Sequence, residues 1–320
     1  MSGLERIVWA LATGLAERGH RVTLFGAPGS AVPPGGDVIP YTRGVEILQR
    51  HAAVLDAADL VHDHGWELVG WAWARSRPER PVLQTWHGPS VGPTAQWQRP
   101  PANVKVVGVS RWHAWRLQCE LGVPVVPVYN GVDVARYTPR RTPRPDGPLL
   151  SLNRVDPLKG HHFAAWAAAR AHRPLWIAGP TRGVPDPAYV RHVLTTATGD
   201  SVRYLGELDE AAKQAALAEA ACLLWLTPGY GEPFGLGVVE ALAAGVPVVA
   251  WGDGALPELL APDCGDIVTD PWDLPQAIDR AVHLDPGRCR RQAERFDVAR
   301  MVAAYLAAYR DVQEGRWWNR

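Results

Sequence analysis

Apolar residues recur along this chain with two periods, and the two periods alternate. Residues 4–18 place Leu4, Ile7, Val8, Leu11 and Leu15 on a three-to-four spacing, which predicts a helix closed by Gly19. RVTLFGA (21–27) then predicts a short strand, and APGSAVPPGGD (27–37) a loop. Residues 45–58 predict one helix, DLVHDH (59–64) a strand, and residues 66–77 a helix. VLQTWHG and VKVVGVS predict two further strands, 111–121 a helix stopped by Gly122, and VPVVPVYNG a strand. Strands that alternate with helices imply a parallel, doubly wound α/β sheet.

PRRTPRPDGP (139–148) interrupts the pattern with four prolines and three arginines, and reads as an extended linker between domains. The alternation then repeats. LLSLNRV, PLWIAGP, VRYLGEL and ACLLWLT predict strands, with helices at 161–171, 189–196 and 210–220 between them. A loop–helix–strand unit, EPFGLGVVEALAAGVPVV (232–249), follows, with its helix at 237–244. After it come a short helix ALPELL, the segment CGDIVTD, and helices at 274–284 and 286–296. An Ala-rich helix at 298–312 lies beyond the second sheet. Two similar halves imply two Rossmann-like domains facing a cleft. Their expected limits are 1–140 and 149–297, with the linker at 141–148 and a terminal helix at 298–320 that has the option of crossing back.

Composition narrows the classes. Apolar residues make up 47% of the 320, enough for two cores, and 33 basic against 33 acidic residues give no reason to expect nucleic acid. Cys119, Cys222, Cys264 and Cys289 show no Cys-x-x-Cys pair and read as buried thiols of a reducing compartment. No apolar run of membrane-spanning length occurs, and Glu5 and Glu17 in the first helix do not suit a signal peptide, so the cytoplasm is the expected location. WAWAR and RWHAWR interleave tryptophan with arginine. Peripheral membrane contact would look like this, but amphipathic core helices would too, and the core reading is preferred.

The densest chemistry is in 232–249. Glu232 and Glu240 bracket a Phe234-Gly235-Leu236-Gly237 turn that opens a helix. A glycine-rich helix start presents N–H groups and a positive dipole end to a phosphate, and a carboxylate on either side can accept sugar or ribose hydroxyls. Arg154 and Lys159 in LNRVDPLKG stand at a strand end and a helix start, as a diphosphate clamp would. Both are expected on an exposed surface, where alanine would leave folding unchanged. His87 ends VLQTWHG. His62 and His64 share one face of a strand and Asp63 the other; His-x-His suggests a metal, but no third ligand is evident, so no metal is expected.

These residues, with Gly3-Leu4-Glu5, NGVD (130–133) and YLGEL (204–208), resemble in order the retaining glycosyltransferases of family 4, including their Glu-x7-Glu motif; their fold is GT-B. Asn153 stands where that family has glycine. The resemblance implies transfer of a sugar from a nucleotide sugar, UDP most often, to an unnamed acceptor hydroxyl: a glycan, a lipid-linked sugar or a small molecule. No cofactor and no metal are implied. Arg154 and Lys159 would neutralise the diphosphate, Glu232 and His87 would hold the donor sugar, and Glu240 the ribose. Leu205 and Gly206 would meet the base through backbone groups, and Phe234, Gly235 and Leu236 the phosphate and sugar. Gly3 would end a phosphate-side loop. A non-catalytic nucleotide-sugar binder, or a GT-B phosphorylase or epimerase, would use the same residues. The family also has a strand and a glycine-rich loop ahead of the first helix. The natural reading frame is therefore expected to begin upstream of Met1, and the 320-residue form to be poorly soluble or weakly active.

Overall fold

The computed structural model describes residues 3–91, 99–196, 198–199 and 201–316. The chain forms two compact units. One combines Met1–Gly131 with Val298–Arg320, and the other is Val132–Asp297. The segments entering and leaving the second unit meet in a single parallel bridge, with Val132 N–H donating to the Phe296 carbonyl at 2.9 Å.

In the first unit, β1 (Thr23–Gly26) and β2 (Asp37–Pro40) form a two-stranded parallel sheet. A separate parallel sheet has the order β3 (Val61–Asp63), β4 (Val82–Thr85), β5 (Val104–Gly108) and β6 (Val125–Pro127). Trp71, Trp73, Trp86, Val106 and Leu117 fill its core. WAWAR is thus core, whereas Trp115 of RWHAWR is 62% exposed. Helix Val298–Gln313 packs on helix Gly3–Ala16; a Cβ on Gly14 would stand 2.6 Å from Val302 Cγ2, so the residue must stay small for the helices to meet.

The second unit carries one seven-stranded sheet. Its order is β13 (Gly265–Val268), β12 (Val248–Trp251), β11 (Cys222–Trp225), β7 (Leu149–Leu152), β8 (Leu175–Ala178), β10 (Val202–Tyr204) and β9 (Thr198–Gly199). All pairs are parallel except β9–β10. Leu149, Leu175, Ile177, Leu224 and Val249 bury one face against Ala164, Ala167 and Ala168 of helix His161–Arg170 and Ile278 of helix Leu274–Ala281. Both units are α/β and Rossmann-like. The proline-rich segment is pinned to the second unit: Arg140 donates to the carbonyls of Gly245 (2.9 Å) and Ala221 (3.2 Å), and Arg290 to those of Tyr137 and Ala243, both at 2.8 Å.

Several elements differ from the pattern. The helix expected at 45–58 is two helices, Gly44–Arg50 and Ala52–Ala57, broken at His51. The helix expected from Trp66 begins at Val69, because Asp63 accepts the backbone N–H groups of Gly65 and Gly70 and bends the chain. β2 went unseen, being four residues between turn signals. VRYLGEL stops as a strand at Tyr204, and CGDIVTD contains β13. Cys222, Cys264 and Cys289 are buried thiols, but Cys119 is exposed. Among the described residues no helix is long and apolar enough to cross a membrane.

Gly160 shows how tightly the turn after β7 lies against β11. It adopts φ 64°, and a Cβ there would run into the Leu226 carbonyl oxygen. Gly183 has φ 70° with open space around it. Gly183→Ala should therefore cost only the backbone penalty, about 1–2 kcal/mol. Gly160→Ala should cost clearly more, because main chain must also move. Urea unfolding of the two variants measures the difference; equal losses would contradict this packing.

Candidate active site

In an open parallel sheet, ligands gather at the carboxyl ends of the strands where the winding direction reverses. In the second unit that point is β7, flanked by β8 and β11. The loops after β7 and β11 carry Arg154, Lys159 and Glu232. Asp156 caps the turn Pro157–Lys159 by accepting Leu158 N–H at 2.9 Å, and its other oxygen takes Arg154 Nη2 at 3.0 Å. His161, fully buried, ties this loop to β7. Its Nε2 faces the Arg154 carbonyl at 3.0 Å and must carry the proton, so Nδ1 accepts from the Ser151 hydroxyl at 2.9 Å.

Lys159 is not exposed as expected. Its side chain is 9% exposed, and Nζ lies 3.0 Å from Glu232 Oε2, itself on a side chain 11% exposed. Both were drawn inward because each supplies the other's counter-charge where water is scarce. Trp225 Nε1 stands 3.4 Å from the same carboxylate oxygen, and Lys159 Nζ lies 3.5 Å above the Tyr230 ring. Burial and the Glu232 charge push the Tyr230 hydroxyl up to about 12. Arg154 remains 43% exposed.

Helix Leu236–Ala243 opens at Gly235, φ 100°, and no side chain caps it. Phe234 is buried, with its ring edge-on to Phe296 at 5.8 Å. Glu240 is not solvated either. Its Oε2 meets Lys213 Nζ at 2.9 Å, and Lys213 also meets Glu210 at 3.0 Å. Leu205 and Gly206 follow β10. Leu205 N–H donates to Ile177, Gly206 accepts Gly179 N–H at 2.9 Å, and the Gly206 Cα faces open space.

The first unit holds His62, His64 and His87 together. His62 bonds Tyr309 OH through Nδ1 and Thr85 Oγ1 through Nε2, both at 2.8 Å, and Thr85 Oγ1 meets Tyr305 OH at 3.0 Å. The His62 and His64 rings lie 4.0 Å apart, and His64 Nδ1 meets His87 Nε2 at 2.9 Å. Burial pushes His62 down to about 3 and holds His64 and His87 well below the usual histidine range. All three are neutral at pH 7. Gly3 begins the first helix, apart from these groups in sequence.

Sequence reading missed Asp156, Lys213, Tyr230, Tyr305 and Tyr309. Asp-Pro before a turn is a capping signal that would have found Asp156. Nothing local marks the other four as site residues, since the partners that place them there (Glu240 for Lys213, Lys159 for Tyr230, Thr85 for Tyr305, His62 for Tyr309) are distant in sequence.

The sequence matches the family described as Glycosyltransferase Family 4 over residues 1–136, and Glycosyl transferases group 1 over residues 149–284. It is 27% identical to a glycogen synthase of Mycobacterium tuberculosis, covering 92% of this chain and 85% of that protein. It is 28% identical to a D-inositol 3-phosphate glycosyltransferase of Mycolicibacterium smegmatis, covering 96% and 86%. AviGT4, a glycosyltransferase involved in avilamycin A biosynthesis, superposes with TM-score 0.77 at 28% identity over 98% of this chain and 91% of that one. HepE from Anabaena, solved with UDP-glucose, superposes with TM-score 0.73 at 19% identity over 96% of each chain, which shows the shared fold alone.

Two outcomes follow from the electrostatics. Lys159→Ala strands a buried carboxylate and should cost roughly 3–5 kcal/mol. Arg154→Ala removes a half-exposed guanidinium and leaves buried Asp156 its bond from Leu158 N–H, and should cost less, about 1–3 kcal/mol. Chemical denaturation reads both, and Lys159→Met with Glu232→Gln should recover most of the loss. The second outcome concerns acid. His62 has a folded value of about 3 against its ordinary 6.5, so the unfolded chain takes up the proton first. Stability is full above pH 6.5 and falls as pH drops from there toward 3. His62→Gln should reduce that slope by about 1.4 kcal/mol per pH unit. An unchanged slope would show that His62 is not held neutral.

Proposed function

The chain belongs to the family 4 glycosyltransferases of the GT-B fold, and from that membership we propose that it moves a sugar from a nucleoside-diphosphate sugar to an acceptor hydroxyl with the anomeric configuration retained. The observation that carries the reading is the Lys159–Glu232 pair where the β7 and β11 loops touch, with Arg154 on the same β7 loop, paired to Asp156, and with the helix that opens at Gly235 just after Glu232. Cleavage of the donor builds negative charge on the departing diphosphate. Preorganised cations matter most there, and a helix N-terminus adds to them. Arg154 and Lys159 take that role, which protein cations can fill without a metal ion. Glu232 accepts donor-sugar hydroxyls with Lys159 fixing its orientation. Glu240, positioned by Lys213, accepts the ribose hydroxyls, and the backbone at Leu205 and Gly206 meets the base. His87 is a sugar-binding residue of the first unit, which binds the acceptor.

UDP is the nucleotide proposed, since the same fold holds UDP-glucose in HepE. Relatives are named for glycogen and for D-inositol 3-phosphate, and the acceptor proposed here is likewise a ring hydroxyl.

The test is a panel of nucleotide sugars incubated in EDTA with and without candidate acceptors. Nucleoside diphosphate should be released only with acceptor present. Arg154→Ala should slow that release by about 10²-fold or more, the scale of losing one charge-stabilising contact. In calorimetry, Glu240→Gln should weaken UDP and UDP-sugar alike, and Glu232→Gln only the UDP-sugar. Binding without turnover across the panel would make the protein a nucleotide-sugar binder instead. Activity that EDTA abolishes and manganese restores would sink the metal-free reading.

A further inference from the structure

In the first unit, the turn between β3 and helix Val69–Arg75 is held from three sides. Asp63 clamps it through Gly65 N–H (2.7 Å) and Gly70 N–H (2.8 Å), and Glu67 Oε2 accepts Gly44 N–H at 2.6 Å. Leu68 is buried in the left-handed region at φ 54°, a conformation a branched residue keeps only when its surroundings enforce it. This rigid turn displays one large apolar side chain, Trp66, at 54% exposure. A single exposed apolar side chain is ordinary on a protein surface. What sets Trp66 apart is the bed it rests on. It covers Gly88, where any Cβ would run into the indole, and stands edge-on to Trp86 with centroids 5.5 Å apart. Trp86 is buried and fixed by its own bond from Nε1 to the Ser90 carbonyl at 2.8 Å.

Two neutral histidines lie close along the chain to this indole and to the glycine it covers. His64 lies two residues before it, and His87 precedes Gly88. Their mutual bond at 2.9 Å uses one N–H and one lone pair. Two neutral imidazoles share two N–H groups and two lone pairs. Whichever ring donates, one outer nitrogen therefore remains a donor and the other an acceptor. A hydroxyl, which both donates and accepts, matches that pair; a fixed anion or cation does not.

We propose that Trp66 is a stacking platform for a saturated, polyhydroxylated ring, a pyranose or cyclitol, whose C–H face lies on the indole while its hydroxyls reach the His64–His87 pair. As the acceptor subsite this rests on the glycosyltransferase reading, but the ring binding itself does not. The platform is tested by saturation-transfer NMR on the intact protein. The probes are methyl β-D-glucopyranoside and myo-inositol, with acyclic sorbitol as control, against wild type, Trp66→Ala and Trp66→Phe. UDP binding is measured on the same samples by calorimetry. Ring probes should receive saturation from wild type and Trp66→Phe, bind about five- to tenfold more weakly to Trp66→Ala, and outdo sorbitol. UDP affinity should be the same in all three. Equal transfer to Trp66→Ala and wild type, or no ring transfer from wild type, overturns the platform. Ring binding that depends on Trp66 in a protein that fails to bind UDP would support the platform and sink the nucleotide-sugar reading.

Discussion

The Lys159–Glu232 ion pair is the contact on which the second unit's site depends. It joins the loops that leave β7 and β11, and it lets both charges survive in a place nearly closed to water. The same rule operates at Arg154–Asp156 and Lys213–Glu240. Each cation near the switch point already has a carboxylate, so the site at rest is close to electrically balanced. On the proposed reading, a diphosphate arriving here would compete with protein carboxylates for these cations rather than fill a vacant positive hole. The gain would be the difference between two charge-assisted partnerships, and the resting pairs would reform once it left.

The first unit solves a different problem. Its central polar group is three histidines, a threonine and two tyrosines, all neutral and joined side chain to side chain. Neutral groups avoid the desolvation cost that forces lysine and glutamate together in the other unit. They also offer donors and acceptors in equal measure.

Much of the fold was legible because local signals agreed with tertiary demands. The helix Arg111–Leu121 has its expected limits, since Ser110 caps it by accepting His113 N–H and Gly122 ends it in a left-handed conformation. The helix expected at Trp66 failed because the apolar period there was real but Asp63, from the preceding strand, captured the backbone first. The motif residues of the site were legible as types: acids, bases and a glycine-opened helix. Their partners were not. Lys213 sits on an Ala-rich helix whose period does not single it out, and only the packing of that helix against Glu240 makes it part of the site. Lys159 likewise looked solvent-facing, because charge in a sequence says nothing of the carboxylate that will meet it in space.

The last helix carries a consequence for synthesis. Tyr305 and Tyr309 complete the hydrogen bonding of Thr85 and His62, and Val302 fills the space over Gly14. The first unit therefore cannot close when the chain as far as Gly131 has left the ribosome. It must wait while the whole second unit is made, and the usual order, in which the leading domain matures first, is reversed. During that interval its buried polar cluster lacks two of its hydroxyls, and the partly formed unit is the one a chaperone would have to shelter.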